Sequence, residues 1–207
     1  MTVQTFGASF GSYSNQSAEK GDMNAVRVDL WESQRLDRVT GLVQPWFTHS
    51  ALDEIQEWDL HDKVVLEWGG GHSSLWWGTR CRSVFTIETN PDWCAWISAK
   101  ADELGITNVT VLHRASESPV DFYLQIPEGC TPDIVVIDGA MLRFECLSKA
   151  IALPRPVTII FDNWQQDGAF ISPEAEGLMR PFLGASYAQA ERTHLKHPWQ
   201  TAIWRLA

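Results

Sequence analysis

With 207 residues, 44% of them hydrophobic, the chain has apolar content for one globular domain and little room for a second. Twenty-six acidic against sixteen basic side chains leave a formal net charge of −10, which argues against a nucleic-acid partner, because phosphate binding draws on clustered Lys and Arg; a small-molecule or sugar acceptor is the expectation instead. Cys81, Cys94, Cys130 and Cys146 form no C-x-x-C pair, which excludes a zinc knuckle and a disulfide framework and reads as reduced thiols in a cytoplasmic protein, and neither a targeting segment nor a membrane-spanning run stands out.

Residues 1–24 are rich in Ser, Gly, Asn and Thr and read as an irregular arm. From Val26 to Val43 apolar residues recur loosely at helical spacing until Pro45 interrupts them, so 1–44 is expected to be an arm with one or two short helices, able to fold over a ligand as a lid, and 45–207 the main domain. Leu52, Ile55 and Trp58 share one helical face, and Ser50 with Asp53 three residues on is placed to cap that helix.

Lys63-Val64-Val65-Leu66-Glu67 is an apolar run of strand length ending in a carboxylate. Three glycines follow, Gly69, Gly70 and Gly71, and then His72-Ser73-Ser74-Leu75-Trp76-Trp77 restarts at helical spacing with Ser73 or Ser74 as the expected cap. Glycine belongs in such a turn because it tolerates positive φ and lets a ligand lie against bare backbone. Ser83–Glu88 reads as a second strand, also ending in a carboxylate, and Glu88 follows the glycines by nearly the spacing at which an acidic residue reaches a ribose hydroxyl pair. Together these residues describe a nucleoside pocket.

Asn90-Pro91-Asp92 opens a helix that Gly105 closes after Leu104. Val109–His113 alternates like a third strand, and Pro132–Gly139 is read as a buried fourth because its apolar run is continuous. A helix from about Leu142 to Leu153 and a fifth strand, Val157–Phe161, ending at Asp162-Asn163, come next. The tail reads as a helix from Pro173 to Leu183, then two strands at Ser186–Glu191 and Thr201–Arg205. Alternating strands and helices with short connections specify an α/β parallel sheet with helices on both faces, which binds ligands at the carboxyl ends of its strands. Glu67, Glu88, Asp138 and Asp162 all fall at such ends. The eleven tryptophans either fill the core or form a stacking surface for a flat or sugar-like substrate.

Assembled in this way, Val64-Val65-Leu66-Glu67-Trp68-Gly69-Gly70-Gly71 with Glu88 and Asp138 resembles the class I S-adenosylmethionine-dependent methyltransferases over about Trp46 to Ala207. The likeness is nearest in texture to bacterial and phage methyltransferase-like proteins carrying Pro45-Trp46-Phe47-Thr48 and Glu67-Trp68-Gly69-Gly70-Gly71-His72-Ser73. It implies a Rossmann-like, seven-stranded, mostly parallel sheet with an antiparallel last strand, and S-adenosylmethionine held by Glu67, Trp68, Gly69, Gly71, Ser73, Glu88, Ser116 and Asp138. Methyl transfer to an oxygen is then the expected reaction, with Asp138, His194 or His197 as base and His49 and His72 as weaker candidates. Asp138 with Asp162 and Asn163 also resembles the metal-ligand pattern of catechol O-methyltransferase-like enzymes, which implies Mg²⁺. The usual Lys base of that group is missing after Asp138, and Arg143 is the nearest cation. Two other readings compete: an NAD-dependent oxidoreductase, disfavoured because Ser74 stands where the third fingerprint glycine belongs, and a non-catalytic S-adenosylmethionine or nucleoside binder.

Overall fold

The computed structural model describes residues 35–164, 173–189 and 199–206, and the compact unit that contains them is Ser33–Ala207. Its strands are β1 (Val64–Trp68), β2 (Ser83–Glu88), β3 (Val109–His113), β4 (Ile134–Ile137), β5 (Thr158–Asp162), β6 (Leu183–Gln189) and β7 (Trp199–Arg205). They form one sheet in the order β3-β2-β1-β4-β5-β7-β6. β1 to β5 pair in parallel, and β7 runs antiparallel to both of its neighbours, so six strands share a direction and the last opposes them.

The helices are α1 (His49–Gln56), α2 (His72–Gly78), α3 (Pro91–Leu104), α4 (Val120–Tyr123), α5 (Arg143–Ile151) and α6 (Pro173–Met179). Period-two alternation along each strand sends successive side chains to opposite faces. One face buries Val65, Val84, Val136, Ile160 and Ile203 against Leu52 and Ile55 of α1 and Trp76 and Trp77 of α2. The other buries Leu66, Trp68, Val135, Ile137, Ile159 and Phe161 against Tyr123 of α4, Cys146 and Leu147 of α5, and Ala175 and Met179 of α6. Trp68, Trp76 and Trp77 are fully buried and serve as core. Each large side chain so buried contributes roughly 1.5–3 kcal/mol.

Local signals act as expected in α3: Asn90 caps it by accepting from the amides of Asp92 (2.8 Å) and Trp93 (3.4 Å), and Gly105 ends it in the left-handed region at φ 68°. Other expectations are corrected. α1 begins at His49 behind Thr48, with no side-chain cap, so Ser50 and Asp53 already lie within the helix. α2 begins before Ser73, behind Gly71, so neither serine is the N-cap residue and both are buried in its first turn, where Ser74 still caps by accepting the Gly71 amide at 3.2 Å.

Over 35–44 there is no helix but a tight turn closed by the Leu36–Val43 bridge. Asp37 explains it. Its carboxylate accepts from the Val39 and Thr40 amides at 3.1 and 2.8 Å, from Trp76 Nε1 at 3.3 Å, and from Arg80. Burial alone would raise its pKa; the Thr40 and Val39 hydrogen bonds and the Arg80 charge override that and hold it at about 2. The remainder of the expected arm, 1–34, lies outside the described residues. No helix among the described residues is long and apolar enough to cross a membrane.

Candidate functional site

The strand order reverses between β1 and β4, which makes the crevice beyond their carboxyl ends the expected ligand site of such a sheet. The two loops that leave these strands are pressed together backbone to backbone. The Asp138 and Gly139 amides donate to the Trp68 carbonyl at 2.9 and 2.7 Å. A Cβ on Gly69 would stand 2.2 Å from the Gly139 nitrogen, and Gly69 has φ +93°. The first glycine is therefore demanded by the facing loop. Gly71 differs, because a Cβ there would meet nothing within 4 Å although the residue itself is buried. Of the two, only Gly71 leaves a cradle that a ligand can fill.

Beside this junction opens a cleft of about 190 Å³ lined by Gly69, Gly70, Glu88, Thr89, Trp93, Tyr123, Asp138, Gly139 and Ala140. A larger cavity, about 320 Å³, lies at the opposite ends of the strands against Trp58, Lys63, Asp133 and Arg205. The smaller one is the better candidate, since it sits at the topological switch point and gathers the two strand-end carboxylates Glu88 and Asp138.

Glu88 is buried at the floor of the cleft. Its Oε1 accepts from the amides of Thr89 and Asn90, each at 2.8 Å, and its Oε2 accepts from the Gly70 amide at 2.8 Å. The Thr89 hydroxyl adds a longer bond to Oε1 at 3.3 Å; each carboxylate oxygen has about two lone-pair directions, so these donors fix the orientation of Glu88 and the acceptor capacity that remains is on Oε2. Trp93 forms part of the wall and packs edge-to-face on Trp96 at 5.2 Å, with His72 4.7 Å from Trp96. Burial lowers the His72 pKa, which disfavours the charged imidazolium.

Glu67 lies beneath the glycine loop, fully buried and away from the cleft lining. Its Oε2 accepts from Ser74 Oγ at 2.6 Å and Thr86 Oγ1 at 3.0 Å, and Ser74 Oγ in turn accepts the Gly71 amide at 3.2 Å. Its Oε1 has no hydrogen-bond partner. Burial pushes this carboxyl up to about 7; nearby Asp138 adds to the rise, and the hydroxyls of Ser73, Ser74 and Thr86 oppose it. Glu67 is thus a brace under the loop.

Other expected contacts are placed differently as well. The Trp68 indole is in the core, donating to the Tyr123 carbonyl at 3.4 Å, so Trp68 meets the loop junction only through its backbone. Ser73 is buried within α2. Ser116 is exposed, donates to Glu117 at 3.2 Å and is not among the cleft's lining residues. His194 and His197 lie outside the described residues. His49, at the start of α1, is not part of the cleft.

The Asp138, Asp162 and Asn163 set does not fit a metal. Asp162 Oδ1 accepts from Thr201 Oγ1 at 2.6 Å within the sheet. Arg143, buried, donates to the carbonyls of Gly139 (2.5 Å), Ile137 (3.3 Å) and Asp162, and its charge acts on both Asp138 and Asp162. A divalent ion 4 Å from such a cation is repelled by roughly 8 kcal/mol at an effective dielectric of 20. Among the described residues no group of three or more His, Cys, Asp and Glu side chains is arranged to hold a metal. Arg143 is the residue whose role sequence reasoning missed; its signal was a lone cation five residues after a strand-end carboxylate.

No protein-family model matches the chain, and no curated protein matches it in sequence. Solved structures do match it in fold. A methyltransferase-like protein from Silicibacter pomeroyi DSS-3 is 18% identical, with TM-score 0.56 over 78% of this chain and 87% of that one. TYW2 from M. jannaschii, solved in complex with AdoMet, is 10% identical, with TM-score 0.55 over 84% and 86%. An rRNA methylase from Streptococcus thermophilus is 13% identical, with TM-score 0.52 over 77% and 96%. The chain has the class I S-adenosylmethionine-dependent methyltransferase fold.

These neighbours correct one expectation. An rRNA methylase has the same fold, so the exclusion of a nucleic-acid partner does not stand. Net charge is a sum over the whole surface, whereas recognition depends on the local patch and on the site grafted onto the fold.

Proposed function

We propose that this chain is an S-adenosylmethionine-dependent methyltransferase that methylates an oxygen of a small hydroxylated molecule, sugars included. The observation that carries the reading is the Gly70 amide to Glu88 Oε2 hydrogen bond of 2.8 Å at the switch point. It fixes a carboxylate, with acceptor capacity remaining, beside a loop whose third glycine leaves an open cradle. Those features suit a nucleoside: Glu88 for the ribose hydroxyls, Gly71 for close approach of the ligand to the backbone, and Trp93 as a flat wall. The bound cofactor supplies an electrophilic methyl group on a sulfonium.

The rest falls to the chain's own side chains. Orientation of the acceptor relative to the cofactor is worth several kcal/mol, about 7–11 at best, and the cleft walls provide it. Asp138, half-buried in the lining and anchored through its amide to the Trp68 carbonyl, is the carboxylate placed to take a proton from an acceptor hydroxyl.

Isothermal titration with S-adenosylmethionine and S-adenosylhomocysteine tests the cofactor step. Micromolar binding is expected for the wild type, weakened about 10- to 100-fold in Glu88→Gln, the loss of one or two charge-assisted hydrogen bonds. No binding at millimolar cofactor, with quenching by NADH instead, would reverse the assignment in favour of an oxidoreductase. Asp138→Asn is expected to retain binding and lose turnover in a methyl-transfer screen whose acceptors run from hydroxylated small molecules and sugars to RNA. Binding without product from any acceptor would support the non-catalytic reading.

A further inference from the structure

At the carboxyl ends of β4 and β5 the chain contains its own buried cation. One Arg143 nitrogen donates to the Gly139 carbonyl in the loop after β4, and the other donates to Ile137 at the end of β4 and to Asp162 at the end of β5. Its guanidinium lies 4.5 Å from the centroid of the Phe161 ring, which backs it from the core. The carboxylates of Asp138 and Asp162 act on the same charge.

The backbone around it is strained on both sides. Leu142 (φ 48°) and Asn163 (φ 55°) are the non-glycine residues with positive φ among the described residues. Leu142 immediately precedes Arg143, and Asn163 immediately follows Asp162. Such conformations persist only where the surroundings over-determine them, and here the shared element is the guanidinium that ties one strand end to the other.

We propose that Arg143 is the positioning cation for Asp138: it ties the carbonyls on either side of Asp138 to the end of β5 and fixes a positive charge beside the place that a divalent ion bound by Asp138, Asp162 and Asn163 would need, so that the site works without a metal there. A planar guanidinium with several donors in a fixed fork holds three carbonyls at once, which an ammonium cannot reproduce. The catalytic importance of Asp138 rests on the methyltransferase reading; the placement of Arg143 between the two strand ends does not.

The test uses the full chain without S-adenosylmethionine and Mn²⁺ as probe, with free Mn²⁺ read by electron paramagnetic resonance. Wild type is expected to leave the ion free at sub-millimolar concentration. Arg143→Ala removes the positive charge beside two strand-end carboxylates and is expected to bind Mn²⁺ at least about tenfold more tightly than wild type, because the repulsion that opposes a second cation there is gone. Its thermal midpoint should fall and recover in part with low-millimolar guanidinium, but not with equal ammonium.

One equivalent of Mn²⁺ immobilised by wild type and released by Asp162→Asn overturns the proposal. A folded Arg143→Ala that gains no Mn²⁺ affinity overturns it as well. If the alanine variant does not fold, the wild-type titration and Arg143→Lys decide: the lysine variant should keep Mn²⁺ excluded while losing thermal stability, and a lysine variant as stable as wild type sinks the guanidinium-specific role. Because no cofactor is present, either result leaves the S-adenosylmethionine reading untouched, and absence of cofactor binding would leave this assignment untouched.

Discussion

The two halves of the sheet's carboxyl edge use acidic residues in opposite ways. On the β1–β2 side, Glu88 is held by three backbone amides and the Thr89 hydroxyl, with no cation bonded to it among the described residues, and keeps acceptor capacity toward the cleft. On the β4–β5 side, Asp162 is matched by Thr201 and by the charge of Arg143, with Arg143 also bonded to the loop that carries Asp138. One half is built to receive polar groups from outside and the other to answer its own charges. Carboxylates at strand ends therefore do not predict a metal by number; what decides is whether a side chain of the same chain has already neutralised them.

The glycine loop offers the largest way to break that comparison. Gly69→Ala forces a Cβ to 2.2 Å from the Gly139 nitrogen at a positive φ, and should destabilise the fold by about 3 kcal/mol or more through overpacking and backbone strain. Gly71→Ala meets nothing within 4 Å, and should leave stability within about 0.5 kcal/mol while S-adenosylmethionine binding falls sharply. Chemical denaturation alongside titration calorimetry separates the two. Equal loss of stability in both variants would mean that the third glycine is also structural.

The carboxyl beneath the loop gives the next largest effect, and it depends on pH. Burial raises Glu67 from its ordinary 4.5 to about 7. Between those values the folded chain keeps a proton that the unfolded chain has released. The stabilisation is complete below 4.5 and is lost as pH rises through 7, a decline of about 3 kcal/mol at 1.36 kcal/mol per pKa unit. Glu67→Gln, neutral at every pH, should remove this slope from a comparison of unfolding free energies measured between pH 4.5 and 8. Parallel pH curves for the two proteins would mean that Glu67 is ionised throughout.

Much of this architecture is legible locally. Ser83–Glu88 and Val109–His113 are the observed β2 and β3, and Asn90-Pro91 with Gly105 bounds α3 because cap chemistry acts within a few residues. What was not legible depends on residues far apart in the chain. The turn at 36–43 replaces the expected helix because Asp37 meets Trp76 on α2 and Arg80 in the turn just after it. Glu67 points beneath the loop because Thr86 on the neighbouring strand and Ser74 on α2 bond it there. Gly69 is needed because of Gly139, seventy positions on, a contact that no local pattern records. For the candidate site, Glu88 and Asp138 were readable as strand-end acids, whereas the neutralising role of Arg143 emerges only when β4 and β5 lie side by side.

The smallest effect comes from the last partner on the closed side of the edge. Thr201 Oγ1 donates to Asp162 Oδ1 at 2.6 Å and accepts the Thr48 amide at 2.9 Å, all three residues being buried. Thr201→Val keeps the shape and β propensity but leaves an amide and a carboxylate oxygen each short of a partner, at a cost of about 2 kcal/mol. If Arg143 alone neutralises this strand end, the variant should lose that stability and still leave Mn²⁺ free. If Thr201 is what keeps a cation from Asp162, Mn²⁺ should bind in Thr201→Val with Arg143 intact, and the division of labour between the two halves would have to be redrawn around the hydroxyl rather than the guanidinium.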